Sequence, residues 1–402
     1  MHGPKLSHID DPGPLRIPPV ATMGALAVGV LGLLVFLIAA FTGGEEMRQN
    51  AWSGFFVSYL FFFFLAMGAA AFLAIQYVTG AKWVVVLKRL PEALTSFLYR
   101  GGFVFPLFAL LGTGYIYSWA APDATYPYPG TVKDSWLSPG IHVGKVIVYV
   151  VPLVLLSYFL VAASLRADKK TDPGLRARQL RTAIIFLVCF GFLFSLFSWD
   201  VVMSVEPKWF STMFGVYCFS GAFLSAIAAM MLLTFFLRRH TDLVQGRHVY
   251  DMGTYVMGFA TFMAYIGFSQ FMLIWYANLE DETMFYIKRF EGNWVVLAVA
   301  LSALKFIIPF VVLMPPRMRT NLYAQAFCCG GILLGQLIDI YWIVIPAYSE
   351  TLVLPSLVNV ATFLGVAGIF GWSTLSFFSS HSYLPVGDPD LLSSVNGDYL
   401  HA

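Results

Sequence analysis

Charged residues are scarce in this chain. Only 11% of its 402 residues are Asp, Glu, Lys or Arg, whereas a typical soluble domain contains about 25%. A soluble enzyme of this length needs far more charged surface, so that class is excluded. The hydrophobic content of 59% excludes an intrinsically disordered chain. The net charge of +2 gives no indication of nucleic-acid binding.

Residues that commonly hold redox cofactors are also few. The four cysteines form neither a CxxC nor a CxxCH pattern, so iron–sulfur ligation, c-type haem attachment and disulfides are unsupported. Of the seven histidines, only His142 falls in an apolar stretch, whereas a transmembrane b-type haem needs two axial ligands. His240 and His248 are expected in a solvated turn. We therefore expect this chain to bind no metal and no covalent cofactor.

Long apolar stretches fill most of the chain. Ten of them are long enough to cross about 30 Å of hydrocarbon at about 1.5 Å per residue, and helices satisfy the backbone in lipid. The sequence predicts an all-α integral membrane protein with a tail over 1–20, a ten-helix transmembrane domain over 21–380 and a second tail over 381–402. The ten expected spans are 21–41, 52–78, 101–120, 141–165, 182–203, 210–237, 252–276, 294–314, 324–346 and 353–378.

Lysine and arginine are unevenly shared between the two sets of loops. The set that includes both tails holds 17 of them and the opposite set holds five. Positive residues concentrate on the cytoplasmic side, so we expect both termini in the cytoplasm. Loops 79–100 and 166–181 should lie on that side, and loops 121–140 and 277–293 outside. The first span follows a polar tail without a clear cleavage site, and we expect it to remain as an anchor.

Three ionisable residues of the expected spans lie near the outer surface: His142, Lys145 and Asp200. Ionisable groups inside a membrane are costly and usually functional. Lys145 and His142 are one helical turn apart, and Asp200 lies about 5 Å below the surface of the next span. Glu206 follows in a short turn. His142, Lys145 and Asp200 are a candidate site for a quinone headgroup or a proton exit. The alternative is a set of ion pairs that fastens two helix ends.

Lys305 and Asp339 lie deeper. Lys305 is about 18 Å from the outer end of its span, and Asp339 is about 12 Å from the outer end of the next. Pro309 has no N–H, so the carbonyl of Lys305 loses its helical partner. An ion pair between Lys305 and Asp339 would either fix the helix register or relay protons. With Asp200 and Glu206, these two residues form the expected proton path.

The stretch 198–223, SWDVVMSVEPKWFSTMFGVYCFSGAF, joins the fifth expected span to the sixth. Its SWD, S-x-EP-x-W-[FY]-ST and FG-x-Y elements resemble the membrane subunits of alternative complex III, a quinol:cytochrome c (or high-potential acceptor) oxidoreductase. Those subunits belong to the polysulfide-reductase-type, or NrfD-like, family. The chain length and the SVEPKW sequence are most similar to those of the F subunit. The span count and the lack of haem ligands agree along nearly the whole chain.

The resemblance implies two four-helix bundles, from spans two to five and six to nine, with two peripheral helices. It implies iron–sulfur clusters and c-type haems in partner subunits, quinol oxidation in a paralogous membrane subunit, and a bacterial cytoplasmic (inner) membrane location. Lipid and a terminal oxidase are further expected partners. Of the candidate residues, Asp200 and Glu206 fall in the matched motif. His142, Lys145, Lys305 and Asp339 are supported by their charge and position alone.

The expected function is therefore that of a respiratory membrane subunit without cofactors of its own. It would anchor peripheral redox proteins and contribute a proton path and a quinone site to electron transport. Two alternatives stay open. A secondary transporter would use Lys305 and Pro309 as a broken-helix site at the midplane, although no convincing inverted repeat is visible. A purely structural scaffold of the same complex would move no protons.

Overall fold

The computed structural model describes residues 6–101, 104–121, 132–169 and 173–398. It is 81% helical and contains no strand in those ranges, which confirms the expected all-α class. The helices are α1 (Pro19–Thr42), α2 (Glu45–Thr79), α3 (Arg89–Gly101), α4 (Val104–Ile116), α5 (Val132–Trp136), α6 (Pro139–Ala167), α7 (Pro173–Phe197), α8 (Phe214–Leu237), α9 (Gly246–Ala277), α10 (Glu280–Phe290), α11 (Trp294–Ser302), α12 (Ile308–Leu313), α13 (Pro316–Thr320), α14 (Leu322–Val344), α15 (Leu357–Ser380) and α16 (Leu391–Asn396).

Nine helices in the described part of the chain are long and apolar enough to cross a membrane. They match every expected span except the third, and they make the protein a multi-pass membrane protein. Half of the expected outer loop 121–140, residues 122–131, lies outside the described residues. The nine spans are Pro19–Thr42, Glu45–Thr79, Pro139–Ala167, Arg176–Val205, Phe214–Leu237, Gly246–Ala277, Trp294–Leu313, Leu322–Ala347 and Leu357–Ser380.

The third span differs from the expected 101–120. Helix α3 begins at Arg89, and α4 ends at Ile116, so the helical region starts about three turns before the expected first residue. The segment 79–100, expected as a cytoplasmic loop, is therefore helical over most of its length. Its side chains from Leu90 to Leu98 are buried.

Paired charges explain why α3 can be buried. The guanidinium of Arg89 is fully buried. It donates hydrogen bonds to the carboxylates of Glu92 and Asp168, and to the Ser164 hydroxyl at 3.2 Å. A buried cation is tolerated where opposite charge and acceptors surround it. The sequence expectation was wrong because it placed each charged residue of this segment in water.

Two of the long helices contain a wide π turn. One covers Ser198–Val202 at the outer end of α7, and the other covers Ala303–Ile307 between α11 and α12. Pro309 explains the second, since it removes a backbone donor and its ring crowds the carbonyl of Lys305. π turns occur often at functional sites. The two turns here carry Asp200 and Lys305.

Helix α2 lies at the centre of the protein. Its most apolar window is completely buried, and it packs against α3, α4 and α7 on one side and α8 and α14 on the other. Helix α6 packs on α7, and α9 packs on α8. This arrangement agrees with two groups of four spans that meet along α2 and α8.

Helices α1 and α15 pack closely against each other, and α15 also packs against α2 and α3. Their backbones approach closely, because a Cβ at Gly32 would lie 2.3 Å from the Ala361 carbonyl oxygen and one at Gly368 would lie 2.3 Å from the Gly29 nitrogen. Small residues allow this close contact in membranes, where packing replaces the hydrophobic effect. These two spans are the peripheral ones.

Both ends of the described chain lie at the same end of the bundle. The Leu6 N–H donates to the Asn396 Oδ1 at 3.0 Å, and the Asn396 amide donates back to the Leu6 carbonyl at 2.9 Å. A single β-bridge joins Pro14 to Ser382.

Residues 382–398, here called the C-terminal segment, fold back onto that end of the bundle. Asp388 forms a largely buried ion pair with Lys88 at 2.8 Å, and Asp390 pairs with Arg176 at 2.9 Å. The Ser394 hydroxyl donates to the Trp83 carbonyl at 3.0 Å. The segment therefore closes the bundle by specific polar contacts.

His248 contributes to the same contact. It was expected in water, but it is fully buried in the first turn of α9. Its Nδ1 accepts a hydrogen bond from the Gln245 N–H at 2.9 Å, and its Nε2 donates to the Ser394 carbonyl at 3.1 Å. The expectation was wrong because the C-terminal segment, distant in sequence, covers this turn. His240 is exposed.

We predict that Lys88→Met or Asp388→Asn alone releases the C-terminal segment. Each leaves one buried charge without its partner, which should cost about 3 kcal/mol or more. Limited proteolysis in detergent would measure this as faster cleavage within residues 382–398. The exposed Lys208 of the outer end, changed to Met, is the control and should leave the cleavage rate near that of the unchanged protein.

The Lys88–Asp388 ion pair also predicts the pH range in which the C-terminal segment stays bound to the bundle. Burial by itself would lower the pKa of Lys88, but the charges of Tyr77 and Asp388 raise it above its ordinary value. Burial would raise the pKa of Asp388, but Lys88 lowers it below its ordinary value. The stability that Asp388 gives to this contact should be lost as the pH falls below about 4. The stability that Lys88 gives to it should be lost as the pH rises above about 10. Cleavage that stayed constant across both limits would contradict this.

Candidate functional site

The Lys305–Asp339 ion pair lies deep in the second group of helices. The Lys305 Nζ donates to the Asp339 Oδ2 at 2.7 Å and to the Gln336 Oε1 at 2.8 Å. The Tyr217 hydroxyl donates to the other carboxylate oxygen at 2.5 Å. Lys305 is 2% exposed and Asp339 is 1% exposed. The four side chains form one hydrogen-bonded unit, here called the midplane unit.

Local sequence explains this geometry. The π turn directs Lys305 toward α14, where Gln336 and Asp339 are three residues apart and share a face. Gly335 makes room, because a Cβ there would lie 2.7 Å from the Lys305 Cγ. A proton moving from Lys305 to Asp339 would turn an ion pair into a neutral pair, so the unit can hold a proton in two arrangements.

A second polar cluster surrounds Asp200 near the outer end. Its carboxylate accepts hydrogen bonds from the Trp136 indole at 2.8 Å and the Tyr149 hydroxyl at 2.6 Å, and it lies 3.3 Å from the Lys145 Nζ. Lys145 also donates to the Trp136 carbonyl at 3.0 Å. The structure therefore brings Lys145 and Asp200 together, within a cluster that already satisfies the carboxylate.

His142 lies beside this cluster without bonding to it. Its fully buried ring meets Tyr117 edge-on at 4.8 Å and Trp119 at 5.2 Å between ring centroids. Neither ring nitrogen has a hydrogen-bond partner among the described residues. His142 is thus the one member of the expected outer group that is held by aromatic contacts.

Glu206 belongs to a third cluster. It lies 3.5 Å from Lys288 and 3.7 Å from Arg289. Arg289 is fully buried in α10, and it donates to the carbonyls of Trp342 at 2.9 Å and Ile343 at 2.7 Å. Burial lowers the pKa of Arg289 to about 10, against the opposing effect of Glu206. The four residues of the expected proton path therefore lie in three separate clusters.

Sequence reasoning missed the role of Arg289 and of Tyr149. Arg289 was counted with the outer loop residues, because a short charged stretch resembles a solvated loop. The amphipathic pattern of Glu280–Phe290, with acids in its first turn and Lys288 and Arg289 in its last, is the signal of a short surface helix. Tyr149 carried no signal, since tyrosine is common near membrane surfaces.

An apolar cavity of about 800 Å³ adjoins the midplane unit. Tyr217 and Lys305 line it, so the ion pair is reached from this side. Its wall is mostly apolar, and its aromatic residues include Phe214, Phe268, Phe271, Phe285, Tyr286, Phe290, Phe306 and Trp342. Rim side chains such as Phe268 and Val299 are 63% and 65% exposed on the membrane-facing surface. The cavity therefore opens sideways toward lipid.

A second cavity of about 840 Å³ lies under the C-terminal segment. Lys88 and Asp388 line it, together with Gln76, Tyr77 and Gln179. The Gln76 amide is buried without a hydrogen bond in the described ranges. A polar cavity of this size is suited to hold ordered water.

No protein-family model and no curated protein matches this sequence. Within the described ranges, no three His, Cys, Asp or Glu side chains lie close enough together to hold a metal ion. The geometry of the polar clusters and the two cavities therefore provides the argument about function.

We predict that the midplane unit tolerates the loss of both charges better than the loss of one. Lys305→Met or Asp339→Asn alone leaves an unpaired buried charge and should cost about 3–5 kcal/mol. The double variant Lys305→Met/Asp339→Asn keeps an acceptor for Tyr217 and should recover at least half of that loss. Denaturation in mixed micelles would measure the three values, and additive losses in the double variant would contradict a coupled pair.

Proposed function

We propose that this protein is the membrane subunit of a respiratory quinol:cytochrome c (or high-potential acceptor) oxidoreductase, and that it provides a proton path. The observation that carries the proposal is the midplane unit. A lysine and an aspartate, paired and buried beside a cavity, can exchange a proton without leaving a bare charge in the membrane. A helix distorted by Pro309 in a π turn holds the lysine there.

The sequence motif at 198–223 supports the assignment to this class of complex. It resembles the alternative complex III membrane subunits, and its π turn and following loop carry Asp200 and Glu206. In the proposal, these two acids receive protons from the midplane unit and release them at the outer face. The iron–sulfur clusters and c-type haems belong to partner subunits, and this chain anchors those subunits in the bacterial cytoplasmic membrane with both termini inside.

A relay through the midplane unit needs only proton transfers, with no other bond made or broken. The Lys305 ammonium gives one proton to the Asp339 carboxylate, which leaves a neutral amine and a neutral acid. The Tyr217 hydroxyl keeps its hydrogen bond to the acid, and Gln336 keeps its contact with the amine. The acid then passes the proton outward while the amine takes another from the inner side, and the two movements together restore the ion pair. They have to be coupled, because release without uptake would leave the Asp339 carboxylate beside a neutral amine.

We predict that the double variant Lys305→Met/Asp339→Asn lowers the number of protons moved per electron while the complex still assembles. It removes the two protonatable groups together, so the stability loss stays small. Purified complex in proteoliposomes, with a pH dye inside and a quinol donor outside, measures the ratio. The pair Lys82→Met and Asp390→Asn makes matched charge changes at the inner end and should leave the ratio unchanged.

Two outcomes would overturn the proposal. An unchanged ratio in the double variant would leave only a structural scaffold within the complex. Purification in mild detergent that gives this chain alone, without c-type haem absorbance, would remove the complex itself and favour a secondary transporter with a site at Lys305 and Pro309.

A further inference from the structure

Helix α10 closes the outer end of the apolar cavity beside the midplane unit. It connects the outer ends of α9 and α11, and the cavity lies among α8, α9, α11 and α14. Phe285, Tyr286 and Phe290 of α10 line the cavity. On the other side of this helix, Glu280 and Asp281 are exposed. The helix therefore separates the cavity from the water at the outer surface.

Each end of α10 is followed or preceded by a residue in the left-handed backbone conformation. Asn278, just after α9, has a φ of 50°, and Gly292, just before α11, has a φ of 56°. A Cβ placed on Gly292 would meet no atom within 4 Å, so crowding does not dictate its conformation. A few such positions can absorb changes in φ and ψ while the element between them turns as one body.

The chain is anchored immediately outside both of these positions. Ile274 of α9 is buried, and the fully buried Trp294 of α11 donates from its indole to the Glu350 carbonyl at 3.2 Å. Between the anchors, α10 packs chiefly on α9 and α11, its neighbours in the chain. Its attachment to the rest of the bundle therefore depends on side chains.

The side chains of one face fasten α10 to the bundle. Phe285 stacks on Trp209 with ring centroids 3.9 Å apart. Arg289 donates to two carbonyls at the end of α14. Glu206 lies 3.5 Å from Lys288 and 3.7 Å from Arg289. Because Trp209 and Glu206 both belong to the SVEPKW sequence, this short turn holds the helix in place.

Outward movement of α10 would involve opposing changes in free energy. It would return the Arg289 guanidinium to water, which favours opening because burial of a cation carries a desolvation cost. It would also separate Phe285 from Trp209, and the loss of this aromatic contact favours the closed arrangement. On the outer side, Asp281 faces Lys133 of α5, and a pair near water adds little to either arrangement.

We propose that α10 is a hinged lid, held closed by Trp209 and Glu206, whose opening admits outer water to the cavity and the midplane unit. Trp209 and Glu206 act here as positioning residues, through α10. The proposal deepens the proposed function by naming the element that controls access to its site. Only the effect of the lid on proton movement rests on that function.

The test measures how fast outer water reaches the cavity. Ser302→Cys places a thiol in the cavity wall, and the purified complex is reconstituted in proteoliposomes. A charged methanethiosulfonate reagent added outside does not cross hydrocarbon, so it reaches this thiol only when the lid opens. We expect slow labelling of Ser302→Cys that finally reaches the same extent as at Glu350→Cys, an exposed outer position.

Two results with this single variant would overturn the lid. An absence of labelling at Ser302→Cys would mean that α10 is a rigid roof. Labelling as fast as that of Glu350→Cys would mean that α10 does not separate the cavity from outer water.

Weakening the attachment should raise the labelling rate. Added to Ser302→Cys, Trp209→Leu removes the partner of Phe285, and Glu206→Gln removes the charge beside Arg289. Each should raise the rate about threefold to tenfold, because the open arrangement becomes more populated.

Matched controls are Trp275→Leu, an exposed tryptophan of α9, and Lys208→Met, an exposed charge in the same turn as Trp209. Both should keep the original labelling rate. Equal rates in the controls and in Trp209→Leu would overturn the assignment of this turn as the fastening of the lid.

Native cysteines report whether a variant has unfolded. Cys328 and Cys329 are fully buried in α14 and do not line the cavity, so they should stay unlabelled in every variant. If Trp209→Leu exposes them, the milder Trp209→Phe replaces it, since phenylalanine keeps part of the stacking on Phe285. That variant must still raise the rate about twofold, or the lid is rejected.

The lid and the proton path can fail separately. Trp209→Leu removes no protonatable group, so faster labelling together with fewer protons moved per electron would support a lid that controls proton release. Faster labelling with an unchanged proton ratio would keep the lid and reject its link to the proposed function. A lowered ratio in Lys305→Met/Asp339→Asn, with Ser302→Cys never labelled, would reject the lid and leave the proton path standing.

Discussion

A charge inside a membrane protein must have a partner, and this constraint organises the polar interior described above. An unpaired buried charge costs several kcal/mol, which exceeds the stabilisation that a single packing contact provides. Lys305 accordingly lies against Asp339, and Arg89 against Glu92 and Asp168. The backbone adapts to these pairs. A π turn directs Lys305 toward α14, and Gly335 leaves space for its side chain.

The polar clusters differ in whether a cavity reaches them. Asp200 has a donor on each carboxylate oxygen and a cation nearby, so its cluster is closed. The midplane unit is equally well paired, but Lys305 and Tyr217 line an apolar cavity that opens toward lipid. The ion pair is therefore reached from the membrane-facing side, which the Asp200 carboxylate is not.

The inner end of the protein is held together by segments that are far apart in sequence. The C-terminal segment contacts the residues just before α3, the start of α9 and the first residues of the chain. Examples are the Lys88–Asp388 ion pair and the His248–Ser394 hydrogen bond. These contacts cover a second, polar cavity. A fold whose apolar spans are surrounded by lipid thus uses polar contacts at its end to fix how the helices are placed.

The sequence alone determined the class of protein and most of its spans, because apolar length and scarce charge leave helices in a membrane as the one solution for the backbone. It also determined that Lys305 and Asp339 needed each other, since neither could remain alone at that depth. Only the tertiary structure decided that α3 and His248 are buried, that Arg289 leaves the surface, and that His142 stands apart from Asp200. It alone placed a cavity beside the midplane unit. Those features depend on which helix faces meet, and one chain's pattern of residue types does not specify contacts between segments hundreds of residues apart.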